Sequence, residues 1–111
     1  MLLEVVNDNN LPAVKSLLEN GVNNEEIGPA VIMATNMGYI DIVKELLWIK
    51  DIKWRYILGV RPGVYNYDII TALNIARTNR DNAYYSDKNI WIDIVSNLIW
   101  ILTRLSDDKK K

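Results

Sequence analysis

The chain has 111 residues, half of them apolar and 24% charged, which is typical of a single globular domain. It contains no cysteine and no histidine, which excludes a disulfide scaffold and a metal site built on thiolate or imidazole ligands. The net charge of −1 favours no class of partner, although residues 1–48 carry two basic and seven acidic residues and residues 49–111 carry eleven basic and seven acidic residues.

The first predicted unit is a pair of helices. Apolar residues recur at helical spacing in Leu2–Asp8 and again in Asn10–Leu18, with Asn9 in the turn between them. Pro12 lies in the first turn of the second helix, where a missing N–H is tolerated, and Gly21 suits the position just after a helix end. These signals predict a short helix, a tight turn and a longer helix.

The same order returns twice further along the chain. A short helix is predicted over Ala30–Met37 and again over Ala72–Thr78. The longer helices that follow contain two nearly identical nonapeptides, YIDIVKELL at Tyr39–Leu47 and WIDIVSNLI at Trp91–Ile99. A repeated amphipathic helix cannot bury its apolar face alone, so we expect the copies to stack.

This pattern resembles the ankyrin repeat, in which two antiparallel helices and a β-hairpin recur about every 33 residues. The matching segments are TALNIAR at Thr71–Arg77 and PAVIMAT at Pro29–Thr35 for the helix-opening motif, GYIDIVKELL at Gly38–Leu47 for the second helix, and LLENGV at Leu17–Val22 for its end. The resemblance implies an all-α fold, a short ankyrin-type solenoid of three stacked helix-turn-helix repeats with reduced β-hairpins. The isoleucine- and asparagine-rich composition is also similar to ankyrin arrays of large DNA viruses and intracellular parasites.

The chain departs from the family pattern in its links and in the family histidine, which is replaced by Ile32 and Asn74. The link from Gly21 to Pro29 is short, so we expect the first hairpin to be missing or stunted. The Pro62–Gly63 step predicts a tight turn within a longer second link. We predict one domain over residues 1–106, with repeats at about 1–27, 28–53 and 68–105, insertions at about 54–67 and 80–89, and a frayed charged tail over 107–111.

No set of residues predicts catalysis. Without histidine or cysteine, a nucleophile would need a lysine or aspartate partner, and the adjacent Lys15 and Ser16 do not face each other on a helix. The carboxylate pairs Glu25–Glu26 and Asp107–Asp108 are interpreted as solvated surface, and the glycines form no phosphate-binding loop. We therefore predict a protein that is not an enzyme and has no cofactor or metal, although an enzyme or nucleotide binder that uses the inserted loops is an alternative.

The resemblance instead implies a protein-protein interaction module. Insertions in a repeat array often extend the binding face, and tyrosine and arginine are frequent in binding hot spots. The predicted partner-binding residues lie at the family's variable positions and in the two insertions: Asn36, Met37, Tyr56, Arg61, Tyr65, Tyr67, Thr78, Asn79, Tyr84 and Tyr85. The alternative for the loop residues is local packing. A nucleic-acid partner is not favoured, because the basic residues beside these aromatics are diluted by acidic ones.

The last predicted helix is apolar on more than one face. Two explanations are open for Ile90–Leu105: the inserted loops fold back over it, or it pairs with another subunit or with further repeats. The second explanation predicts a structural homodimer through residues 90–105.

Two observations argue against a membrane or secretory segment. Glu4 interrupts the apolar residues of Leu2–Val6, and the apolar stretch Ile90–Leu102 is short for a bilayer and contains Asp93 and Asn97. We therefore expect no membrane contact and a cytoplasmic or otherwise intracellular location, in the host cell if the source is a virus.

Overall fold

The computed structural model describes residues 1–50, 53, 57–84 and 87–110, except for the side chains of residues 106–110. The described part is mostly helical, as the sequence predicts, and contains one two-stranded sheet. Its elements in chain order are α1 (Leu2–Asn7), α2 (Leu11–Asn20), α3 (Ile27–Met37), α4 (Ile40–Leu47), β1 (Trp48–Lys50), β2 (Ile57–Val60), α5 (Asn66–Asn82) and α6 (Lys88–Lys110). A 3-10 turn at Asn24–Glu26 precedes α3, so the expectation that the first link carries no hairpin is confirmed.

The helices form two layers. In one layer α3 packs between α1 and α5, and in the other α4 packs between α2 and α6. The N-terminal amine of Met1 lies 3.8 Å from Glu26, so α1 and α3 begin side by side. The side-chain amide of Asn79 lies 3.5 Å from the carbonyl oxygen of Asn36, so α5 and α3 also end side by side. The three helices of this layer therefore run parallel.

Tight turns join the helices within the first two pairs. Asn9 has a φ of 54° and Gly38 a φ of 75°, both in the left-handed region that asparagine and glycine tolerate best. The backbone N–H of Gly38 donates to the carbonyl of Thr35, which closes the last turn of α3. The sequence prediction of these two turn residues is confirmed.

The two nonapeptides lie side by side in α4 and α6. The ring of Trp91 packs over Gly38, the amine of Lys44 lies 3.4 Å from the carboxylate of Asp93, and the rings of Trp48 and Trp100 are 5.1 Å apart. These three contacts follow the same direction along both helices, so α4 and α6 are parallel. The copies thus stack on each other, as expected for a repeated amphipathic helix.

The core lies between the two layers and is almost entirely apolar. Burial of aliphatic side chains at about 25 cal/mol per Å² is the main stabilising term for such a core. The largest fully buried side chains come from both layers: Trp48, Leu2, Ile27, Ile42, Leu46, Leu47, Ile69, Ile94, Leu98 and Ile101.

The hairpin continues α4 directly. Strand β1 pairs with β2 in antiparallel register, with Trp48 opposite Val60, and the pairing is irregular between Ile49 and Lys50. The predicted insertion at 54–67 therefore supplies the second strand. The predicted Pro62–Gly63 turn follows it, and Gly63 has a φ of 95°.

Hydrogen bonds from Arg61 connect this hairpin to the end of α4. Its guanidinium donates to the carbonyls of Glu45 (3.0 Å) and Trp48 (3.2 Å), and its backbone N–H donates to the carbonyl of Leu47 (2.9 Å). Burial lowers the pKa of the guanidinium and neighbouring Glu45 raises it, but an arginine stays charged in proteins. A cation is favourable at a helix C-terminus, where carbonyl groups lack partners.

Three boundaries differ from the prediction. Helix α5 runs from Asn66 to Asn82, well beyond the expected Ala72–Thr78, and α6 begins at Lys88. Five of the ten residues expected in the insertion at 80–89 therefore belong to helices, three to α5 and two to α6. The C-terminal end of α5 is polar and mostly exposed, so it lacks the apolar spacing that signals a helix. The N-terminal end is different, because Ile69 is fully buried and continues the apolar spacing of Leu73 and Ala76. The expected frayed tail also differs, since α6 continues to Lys110.

The outer face of α6 stays uncovered. Strand β2 touches α6, and Leu102 and Leu105 pack partly against the core, but Ile92, Ile99 and Trp100 are 43–50% exposed. The described part of the inserted loops therefore leaves these three side chains partly exposed, and both explanations for the apolar helix stay predictions. No helix in the described residues has the length and apolarity needed to cross a bilayer.

Replacement of Arg61 by alanine is expected to lower the free energy of unfolding by about 1–3 kcal/mol, because the carbonyls at the end of α4 lose charged donors. Urea unfolding followed by circular dichroism measures this change. Arg77→Ala is the matched control: Arg77 is exposed on α5, and its loss should cost less than about 0.5 kcal/mol. Equal effects of the two substitutions would contradict the capping role.

Candidate functional site

Two concave regions lie on one face of the molecule, at opposite ends of the seam between α3 and α5. The first, which we name the tyrosine pocket, has a volume of about 250 Å³ and is lined by Asn24, Glu25, Gly28, Pro29, Gly63, Tyr65, Tyr67 and Asp68. The second, named the asparagine groove, has a volume of about 280 Å³ and is lined by Asn36, Asn74, Ile75, Thr78 and Asn79.

Helical periodicity places both regions on the same face. On α3, Pro29 of the pocket and Asn36 of the groove are seven residues apart. On α5, Tyr67 of the pocket is seven residues from Asn74 and eleven from Thr78 of the groove. Residues at i, i+7 and i+11 share a helix face. Because α3 and α5 are parallel, the pocket lies at the start of both helices and the groove at their ends.

The aromatic wall of the pocket is a pair of tyrosines. The rings of Tyr65 and Tyr67 are 5.9 Å apart with an angle of 9° between their planes, an offset stacked geometry. Tyr65 is 46% exposed and Tyr67 is 68% exposed. Two aromatic side chains therefore lie ordered against each other but open to solvent.

The floor of the pocket depends on two glycines. A Cβ on Gly63 would lie 2.6 Å from the carbonyl oxygen of Asn24, and a Cβ on Gly28 would coincide with the carboxylate of Asp68. The link before α5 can therefore approach the start of α3 only because neither position carries a side chain.

The pocket is acidic. Asp68 lies in the first turn of α5, and its carboxylate makes no hydrogen bond or ion pair with any side chain among the described residues. Burial raises the pKa of Asp68, because a carboxylate partly withdrawn from water favours its neutral form. Glu25 is a second carboxylate on the rim, and among the described residues no basic side chain contributes to the lining.

The asparagine groove is shallow and polar. Asn36, Asn74 and Asn79 contribute amide groups, each of which can donate and accept hydrogen bonds. The hydroxyl of Thr78 donates to the carbonyl of Asn74, 2.9 Å away on the same helix. Ile75 adds a partly buried apolar floor.

The structure brings together five of the ten residues that the sequence selects. Asn36, Thr78 and Asn79 meet in the groove, and Tyr65 and Tyr67 form the pocket wall. Met37 is exposed next to the groove but does not line it, and Tyr84 is 83% exposed and lines neither region. Arg61 caps α4. Tyr56 and Tyr85 lie outside the described residues.

The assignment of Arg61 as a contact residue needs correction. Its side chain is half-buried and its guanidinium is engaged by the carbonyls of Glu45 and Trp48. An arginine in a loop between helices is as suited to capping a helix end as to contacting a partner. Only the folded position of the hairpin decides between the two roles.

Sequence reasoning missed the acidic part of the site and one of the three amides of the groove. It interpreted Glu25 as solvated surface, treated Asn74 only as a lost family histidine and did not select Asp68. The spacing of Tyr67, Asn74 and Thr78 at seven and eleven residues was a usable signal. It was hidden because the predicted helix began after Tyr67.

Comparison of the chain with models of protein families, with curated proteins and with solved structures gave no match. Within the described residues, no group of three or more acidic side chains is arranged to hold a metal ion.

Replacement of Gly63 by alanine is expected to lower the free energy of unfolding by about 2–4 kcal/mol, because a Cβ meets both a positive φ and the backbone carbonyl of Asn24. Gly59→Ala is the control, since no atom lies within 4 Å of the position of its Cβ. That variant should stay within about 1 kcal/mol of the wild type. Urea unfolding measures both free energies. Equal decreases in the two variants would contradict the close approach of Gly63 to the carbonyl of Asn24.

Proposed function

We propose that this chain is a divergent ankyrin-type repeat module that binds a partner protein, without catalysis, along the face formed by α3 and α5. The observation that carries the proposal is the convergence of Asn36, Thr78 and Asn79 in one groove. The same three residues occupy the variable contact positions of the ankyrin register in the sequence. They lie on the same face of α3 and α5 as the Tyr65–Tyr67 pair, which supports the use of this face for binding.

The ankyrin assignment is supported by the order of the helices. Helices α1, α3 and α5 lie parallel in one layer and each is followed by a second-layer helix, α2, α4 or α6. The hairpin lies between the second and third pairs, where a repeat of this family carries its β-hairpin. The tight turns at Asn9 and Gly38 have positive φ in equivalent places.

The chemistry of the face suits a protein partner. Exposed tyrosines are frequent in binding hot spots, and amide side chains can bond the backbone of a bound segment. The pocket and the groove, at about 250 and 280 Å³, are below the roughly 300–1,000 Å³ of typical small-molecule sites. In the part of the chain that the structure describes, neither lining contains a basic residue, which argues against nucleic acid.

A groove variant tests the proposal. Peptides selected from a randomised display library on the wild-type chain should bind Thr78→Arg at least about tenfold more weakly, because the long charged side chain fills the groove. Ser16→Arg is the matched control, since Ser16 is exposed on α2 in the other layer, and its affinity should be unchanged.

Two results would contradict the proposal. Either the selected peptides bind Thr78→Arg as tightly as the wild type, or Ser16→Arg weakens them equally. Both variants replace an exposed side chain, so we expect both to fold, and circular dichroism checks this.

The outer face of α6 supports a second candidate, a homodimer. Ile92, Ile99 and Trp100 are exposed there, whereas Leu47 and Trp48, the equivalents of the last two in the first copy of the repeat, are buried. A second copy would cover α6 as α6 covers α4. Light scattering at micromolar concentration should then give twice the monomer mass, and Ile99→Glu should return the monomer. A strictly monomeric wild type would remove this candidate.

A further inference from the structure

We propose that the tyrosine pocket receives one cationic side chain, lysine or arginine, of the partner protein. This inference rests on the proposed function, because it names the chemistry that the same face recognises. Four observations carry it: the charge of the lining, the stacked rings, the volume of the pocket and its position on the face.

The charge of the lining calls for a cation from outside. Asp68 and Glu25 both line the pocket, and the carboxylate of Asp68 makes no hydrogen bond or ion pair with another described residue. The slight burial of this carboxylate raises its pKa. A bound ammonium or guanidinium would supply a counter-charge and charge-assisted hydrogen bonds.

The stacked rings provide a second attraction for the same group. Tyr65 and Tyr67 are both substantially exposed, so a ring face is open to a ligand in the pocket. A cation within about 6 Å of an aromatic face is attracted by the negative face of the ring. The aliphatic stem of a lysine or arginine can meanwhile cover apolar surface such as that of Pro29.

The volume limits what the pocket can take. At about 250 Å³ it is below the roughly 300 Å³ at which small-molecule sites begin. It therefore suits one long side chain. The rest of the bound segment would remain outside the pocket.

The position of the pocket sets the direction of the bound segment. Pro29 in the pocket and Asn36 in the groove are seven residues apart on α3, which corresponds to about 10 Å at 1.5 Å per residue. An extended chain covers that distance in about three residues. The partner should thus place its cationic residue about three positions from the residue that occupies the asparagine groove.

Free amino-acid amides test the pocket without a known partner. The probes are the N-acetyl methylamides of arginine, lysine and norleucine, added at millimolar concentrations to the full chain labelled with ¹⁵N. Arginine and lysine should produce saturable shifts of the Gly28 and Gly63 amide signals, two of only five glycines in the chain. Norleucine, which has the stem without the charge, should not. Equal shifts from norleucine, or none from the cations, would overturn the inference.

Charge-removing variants sharpen this test. Asp68→Asn should weaken arginine binding about tenfold through loss of a charge-assisted hydrogen bond, whereas Glu19→Gln, which removes an exposed carboxylate from α2, should leave it unchanged. Tyr67→Leu keeps the apolar bulk of an exposed position but lacks the ring, and it should also weaken binding. Unchanged binding in both Asp68→Asn and Tyr67→Leu would overturn the assignment.

This experiment separates the inference from the proposed function. If library peptides remain sensitive to Thr78→Arg while the cationic amides fail to bind, only the chemistry assigned to the pocket is wrong. If the peptides are insensitive to Thr78→Arg, the proposed binding face is wrong, whatever the amides do.

Discussion

The contact between Arg61 and the end of α4 is the constraint on which the face formed by α3 and α5 depends. The chain leaves α4 as β1 and returns as β2, and Arg61 then bonds to the carbonyls of Glu45, Leu47 and Trp48. This anchor sets the point from which the chain turns at Gly63 toward the start of α3. Helix α5 consequently starts beside α3 and runs parallel to it.

Because α3 and α5 are parallel, residues that are far apart in the sequence lie on one face. This packing aligns the first turns of α3 and α5 around the tyrosine pocket and their last turns around the asparagine groove. The two glycines at the pocket floor allow the necessary close approach. The repeated nonapeptides contribute differently, since their stacking in α4 and α6 supports the second layer behind this face.

The sequence predicted the elements that depend on residues close to one another in the chain. Apolar spacing located α4 and the middle of α6, and turn residues located Asn9 and Gly38. The C-terminal end of α5 was not predictable, because its polar residues carry no apolar period. Likewise the family register selected Asn36, Thr78 and Asn79, but the roles of Asp68 and Arg61 depend on long-range contacts. Arg61, for example, bonds to a carbonyl 16 residues away in sequence.

The most direct test of this account is the relative direction of α3 and α5. The chain has no native cysteine, so pairs of introduced cysteines can be joined by a short thiol-reactive cross-linker that spans the roughly 8–10 Å between packed helices. The account predicts efficient cross-linking of Asn36→Cys with Asn79→Cys, and little cross-linking of Pro29→Cys with Asn79→Cys, as measured by mass spectrometry. The reverse pattern would show that the two helices run antiparallel, and it would contradict the single binding face.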